Sequence, residues 1–263
     1  MRITAITLGA LVAGACACVF VAARTSASPA KHRPSATASA SASSTATSEV
    51  TLATARERYG ARRGALEMDR KALAARLDAD PEARADVLGA ARPRLLDAFE
   101  DDLFPAWIGT AWDFNGTSQE PGKGSIACGY FVTTLLAHAG FEVQRAKLAQ
   151  QASENIVKTL AGADDIWRFR KGDAALVLAK VRELGDGLYV VGLDNHAGFL
   201  FEHDGRATRF CHSSYLEPAT VQCEDAAGAA ALESNYHVLG RVTNDATITR
   251  WLRGDAFETH VSR

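Results

Sequence analysis

One cysteine stands where a loop rich in Gly and Ser becomes an apolar helix: Cys128, in PGKGSIACGYFVTTLLAHAGFEV (residues 121–143). A thiol in the first helical turn lies beside unpaired backbone N–H groups and the positive end of the macrodipole. Both favour the thiolate, and the same N–H groups are a ready site for an oxyanion. Ser125 is the expected cap, and Gly129 is expected to let a substrate approach the backbone. The competing reading is an inert core residue, because free cysteine is among the most buried residue types. Chemistry requires a base.

Six histidines follow the N-terminal region. His138 falls in the last turn of the Cys128 helix, His203 beside a turn, His237 within a late strand and His260 near the C-terminus. These read as structural. His196 differs, opening the apolar run HAGFLFE after the polar pair Asp194-Asn195, and His212 lies on the next run, RFCHSS. A three-residue loop, His203-Asp204-Gly205, pairs residues 202 and 206 and sets His196 directly opposite His212 on one sheet face. A two-residue Asp-Gly turn would send the rings to opposite faces. With the longer loop, Cys128 is the candidate nucleophile, His196 the base and His212 the group that orients it.

The elements that must position these residues are of two kinds. Helical patterning runs from Leu52 through two charged, amphipathic segments, the second opened by Asp80-Pro81 as cap and first-turn proline. The Cys128 helix ends before Gly140, and AKLAQQASENIVKTL and DAALVLAKVREL predict two more helices, with DDIWRF part of the helical insertion. From Gly187 the period changes to short β-branched and aromatic runs: GLYVVGLDNHAGFLFE, RATRFCHSS, ATVQCE and NYHVLGRVT. NDATITRWLRGDAF predicts a closing helix. Helices first and strands later predict an α+β domain, an antiparallel sheet with helices on one face, preceded by an N-terminal helical cap.

The chain begins with Arg2 and the apolar ITAITLGALVAGACACVFVAA, followed by small residues, as in an export signal. An uncleaved anchor fits the same length, and Cys16 and Cys18 also allow a lipid-modified N-terminus. The Ser/Ala/Thr-rich residues that follow read as a disordered tether. The division expected is signal 1–27, linker 28–50, helical region 51–104 and catalytic domain 105–263. Formal net charge is −2 over 263 residues, and residues 51–263 carry 25 basic against 30 acidic side chains. That balance argues against nucleic acid as a partner. A monomer is expected, periplasmic or extracellular, with a membrane tether through the N-terminus as an option.

In order and spacing, WDFNGTSQEPGKGSIACGYFVTTLLAHAGFEV followed by HAGFLFEHDGRATRFCHSS resembles the NlpC-type cell-wall amidases, which are papain-like cysteine peptidases. The resemblance covers about residues 107–215. It implies a papain-like domain with Cys128 as nucleophile, His196 as general base and acid, and His212 fixing the imidazole. It also implies peptidoglycan stem peptides, or another peptide amide, as the substrate class. Where that family shows Asp-Cys-Ser, this chain has Ala127-Cys128-Gly129, and Trp112 is the nearest match to a site-lining tyrosine. Trp112 and Tyr130 are the candidate substrate contacts, with Trp167 and Tyr215 as further aromatic candidates. No cofactor or metal is implied, since CHSSYLEPATVQC matches no zinc spacing. In an oxidising compartment Cys211 and Cys223 are candidates for a disulfide between consecutive strands, a pairing the sequence leaves open. An inactive binding module and a thioester acyltransferase are the competing functions.

Overall fold

The strands at the end of the chain form the frame. In the computed structural model, which describes residues 37–170, 172 and 174–261, they are β1 Ile166–Arg170, β2 Gly187–Leu193, β3 Ala197–Glu202, β4 Arg209–Ser213, β5 Val221–Asp225 and β6 Tyr236–Arg241. They make one open antiparallel sheet in the order β1-β6-β2-β3-β4-β5. The helices are α1 Thr37–Ala79, α2 Arg84–Asp97, α3 Phe104–Trp107, α4 Cys128–His138, α5 Arg145–Ala149, α6 Ser153–Leu160, α7 Ala174–Leu184 and α8 Asp245–Arg253. The fold is α+β, as the order of periodicities predicts. The expected signal segment, residues 1–27, lies outside the described residues.

Three expectations need correction. First, the sheet is covered on both faces rather than one. Every position of β2 and β3 is buried, so each face needs a partner layer. Val190, Phe199 and Phe201 join Phe131, Leu135 and Trp107 on one side. Tyr189, Leu200 and Phe210 pack with Val177, Leu178 and Val181 of α7 on the other. Second, DDIWRF is helical only at its two aspartates, which lie in a short 3₁₀ turn, Ala163–Asp165. Ile166–Arg170 is an edge strand paired with β6, and its aromatic residues Trp167 and Phe169 pack on the α7 side of the sheet. β-branched and aromatic side chains suit that half-buried, pleated setting. Third, AKLAQQASENIVKTL is two helices, broken at residues 150–152 where the chain turns beside Cys128.

The N-terminal helices attach through specific polar contacts. Arg70 of α1 donates from Nη1 to the carbonyls of Trp251 and Leu252, in the last turn of α8, at 2.9 Å each. Trp107 Nε1 donates to Tyr59 Oη at 2.7 Å, and Tyr59 in turn meets His138 Nδ1 at 2.9 Å. Burial holds His138 down to about 4, so its place at the end of α4 is that of a neutral ring, not the helix-end cation its position suggests. Helix α1 also reaches back to Thr37, into residues expected as tether, where the run is rich in alanine, the best intrinsic helix former. No helix among the described residues is long and apolar enough to cross a membrane.

Candidate active site

Cys128 is the first residue of α4. The cap is Ala127, in extended conformation and with no side-chain hydrogen bond, not Ser125. The first amides of the helix are therefore free for other acceptors. The sulfur is one of them, taking backbone N–H contacts from Ala197, Gly129 and Cys128 itself. Gly129 serves packing more than substrate access, because a Cβ there would stand 2.4 Å from the Ala149 carbonyl oxygen. Burial outweighs the amide contacts and raises the Cys128 pKa above its ordinary value. The helix mouth alone does not make the resting thiol a thiolate.

The β3–β4 hairpin brings His196 and His212 together by a different register from the one expected. Phe199 pairs with Cys211 and Phe201 with Arg209, so the connection spans residues 203–208 and His212 faces Gly198, two residues beyond His196. The shift equals one pleat repeat, which preserves facing. Both rings stay on one side, and His196 Nε2 lies 2.8 Å from His212 Nδ1. Gly198 makes room for this diagonal contact. A Cβ there would lie 2.6 Å from Phe210 Cε2 and 2.8 Å from His212 Cβ.

A residue that sequence reasoning missed completes the chain of contacts. Glu224 Oε1 on β5 lies 3.0 Å from His212 Nε2. A carboxylate only accepts hydrogen bonds, so it takes the His212 Nε2–H. His212 Nδ1 is then the acceptor for His196 Nε2–H, which leaves the lone pair of His196 on Nδ1. That atom is buried and has no hydrogen-bond partner. Burial keeps His212 at about 4 and, with the neighbouring His212, His196 at about 3. The resting site is thus a neutral thiol and a neutral imidazole. A signal for Glu224 was present: pairing Cys211 with Cys223 puts residues 212, 222 and 224 on the opposite face together. The two cysteines are indeed joined by a disulfide, which leaves Cys128 as the free thiol of the described residues.

Cys128 and His196 line one cleft of about 750 Å³, together with Trp112, Tyr130 and Tyr215. The Tyr215 ring stands edge-on to His196, centroids 5.3 Å apart, and tilts against Trp112 at 6.3 Å. Tyr130 receives a hydrogen bond from Gln150 Nε2 at 3.1 Å, and the Arg145 guanidinium stacks 4.9 Å from its ring centroid. Arg145 is occupied by Thr134 Oγ1 and the Thr117 and Ser118 carbonyls. Trp167 is absent from the lining, being taken into the packing of β1. The remaining polar lining is amide and hydroxyl, from residues such as Asn115, Gln151 and Asn195, and includes no Asp, Glu, Lys or Arg. Phe114, 79% exposed, stands at the rim. Comparison with protein-family models, curated proteins and solved structures finds no match to this chain.

Proposed function

We propose that the protein is a cysteine hydrolase of papain-like, NlpC-type architecture that cleaves an amide bond through a Cys128 thioester. One observation carries the reading. The free thiol opens α4 in the same cleft as His196, whose Nε2 is held by His212, itself held by Glu224, and whose Nδ1 is buried without a partner. Substrate binding brings the sulfur and Nδ1 into hydrogen-bond reach, a tightening common on leaving the resting state. His196 Nδ1 takes the thiol proton as sulfur attacks the carbonyl carbon. The N–H groups of Cys128 and Gly129 hold the oxyanion. The imidazolium then gives its proton to the leaving amine, and water, deprotonated by His196, hydrolyses the thioester.

The cleft constrains the substrate. Aromatic faces and amides suit a neutral acyl segment, whereas an unpaired carboxylate entering it would meet no cation. A peptidoglycan stem peptide, the class the resemblance suggests, fits only if its charged groups stay outside. The helices before residue 105 act in this reading as a cap on the catalytic domain, and the chain works outside the cytoplasm. Incubation with purified peptidoglycan and with neutral peptide amides tests the proposal by mass spectrometry. Fragments or a Cys128-linked acyl adduct that vanish in Cys128→Ala support it; no turnover of either class and no adduct overturn it.

One observation favours a second reading, a binding module without catalysis: the resting thiol is held protonated and makes no hydrogen bond to His196. Stoichiometric alkylation of Cys128 that depends on His196 distinguishes the enzyme from the module.

A further inference from the structure

Away from the cleft, three carboxylates converge on one imidazole. The pairing of Gly187 with Glu202 brings their neighbours Asp186 and His203 side by side at the end of the β2–β3 ladder. Asp204 follows with φ of 54°, a left-handed conformation rare outside glycine, and its N–H donates to Asp186 Oδ2 at 3.2 Å. Asp97, the last residue of α2, accepts from His203 Nε2 at 3.1 Å. That bond leaves Nδ1 facing Asp186 Oδ2 at 3.6 Å and Asp204 Oδ1 at 4.0 Å.

The His203 side chain is only 9% exposed, and its Nδ1 is buried with no hydrogen-bond partner. Among the described residues no Lys or Arg forms an ion pair with the carboxylates of Asp97, Asp186 or Asp204; Arg241 Nη2 reaches the Asp186 backbone carbonyl at 3.0 Å, and the nearby Arg206 is taken by Glu100. The site therefore gathers a lone pair and two carboxylates, with the long bond from the Asp204 N–H to Asp186 Oδ2 as the donor contact between them. Separations of 3.6 and 4.0 Å exceed the N–H···O range of about 2.7–3.2 Å. A tetrahedral ion bound at about 2.0–2.1 Å sets its ligand atoms about 3.4 Å apart, so the 3.6 Å pair is near that spacing and the exposed Asp204 carboxylate closes on it by a small side-chain rotation.

We propose that Asp186, His203 Nδ1 and Asp204 bind a divalent transition-metal cation, with Zn²⁺ the best match. One imidazole nitrogen with carboxylate oxygens selects such ions over Ca²⁺ and Mg²⁺, which prefer all-oxygen sites. Asp97 completes the arrangement by holding the far ring nitrogen, the usual support for a metal-bound histidine. The ligands come from the turn before β2 and the β3–β4 loop, with Asp97 from α2, so the ion ties the hairpin to the helix beside it. No local sequence spacing signals such a site.

The test is Zn²⁺ titration by calorimetry of the tag-free full-length chain, with Cys16, Cys18 and Cys128 replaced by Ser to remove thiol ligands. One equivalent is expected to bind saturably, and Co²⁺ to compete for it while Ca²⁺ does not. Because His203→Ala removes a buried ring and threatens folding, the deciding variant is Asp186→Asn/Asp204→Asn, whose side chains are exposed. Its affinity is expected to fall at least about 100-fold, and that of Asp97→Asn about tenfold. No saturable Zn²⁺ binding by the parent, or a double variant within threefold of it, overturns the assignment.

Discussion

Replacing Glu224 with Gln probes the relay at its far end, where the side chain is 35% exposed and no substrate contact is disturbed. The carboxylate fixes two tautomers in succession, because it can only accept from His212 Nε2. A glutamine can turn its NH₂ to that nitrogen instead, which reverses both rings and puts a proton on His196 Nδ1. It also removes the charge that would stabilise the imidazolium formed when the thiol ionises. Hydrogen bonds to charged groups contribute roughly 1.5–3 kcal/mol, and partial exposure argues for the lower end. About 1.4 kcal/mol is tenfold in rate. The second-order rate of Cys128 alkylation by iodoacetamide at pH 7, followed by intact mass, is therefore expected to fall about tenfold in Glu224→Gln and to recover at least partly in Glu224→Asp. A Glu224→Gln rate within twofold of the parent, with the fold intact by circular dichroism, would refute the relay.

Three other outcomes follow from the same geometry. Burial holds His196 at about 3 and His138 and His212 at about 4, all below the unfolded value near 6.5. The unfolded chain binds more protons between those limits, so stability is complete above about pH 6.5 and declines toward pH 4, by at most about 1.4 kcal/mol per pH unit for each ring; a urea midpoint that stays constant from pH 7 to 4.5 contradicts this. Anionic iodoacetate is expected to label Cys128 about tenfold more slowly than iodoacetamide after correction for their rates with a free thiol, since the lining offers no cation; a corrected ratio near one means that charge is tolerated. Gly198→Ala, whose Cβ would press on Phe210 and His212, is expected to cost about 1–3 kcal/mol in urea unfolding and to slow alkylation; full retention of both would mean that the hairpin relaxes freely.

The parts of this site legible in the sequence are those set by periodicity. His196 and His212 fall on one face because side chains alternate with period two, so an error of two in register did no harm. The end of α4 before Gly140, at φ of 90°, follows from local turn chemistry, whereas its start falls at Cys128 without the Ser125 cap expected. Environment was not legible. The helix mouth argues for a thiolate, but burial of the sulfur in the folded chain outweighs its N–H contacts, one of which comes from Ala197 of β3, far away in sequence. Ile166–Arg170 looked like part of a helical insertion because its strand character depends on pairing with Tyr236–Gly240. Glu224 needed the β4–β5 register, which the unproven disulfide would have supplied.

Ser213, next to His212, donates from Oγ to the carbonyl of Ile126 at 2.6 Å, two residues before Cys128. That single stitch couples the strand bearing the second ring to the loop that delivers the sulfur. The backbones that carry the reactive groups are therefore tied to each other, so the approach of sulfur to Nδ1 is a side-chain adjustment, while Phe114 and the glutamines at 150–151 sit on segments outside that tie. Evolution or engineering can then retailor the doorway without detuning the machinery behind it.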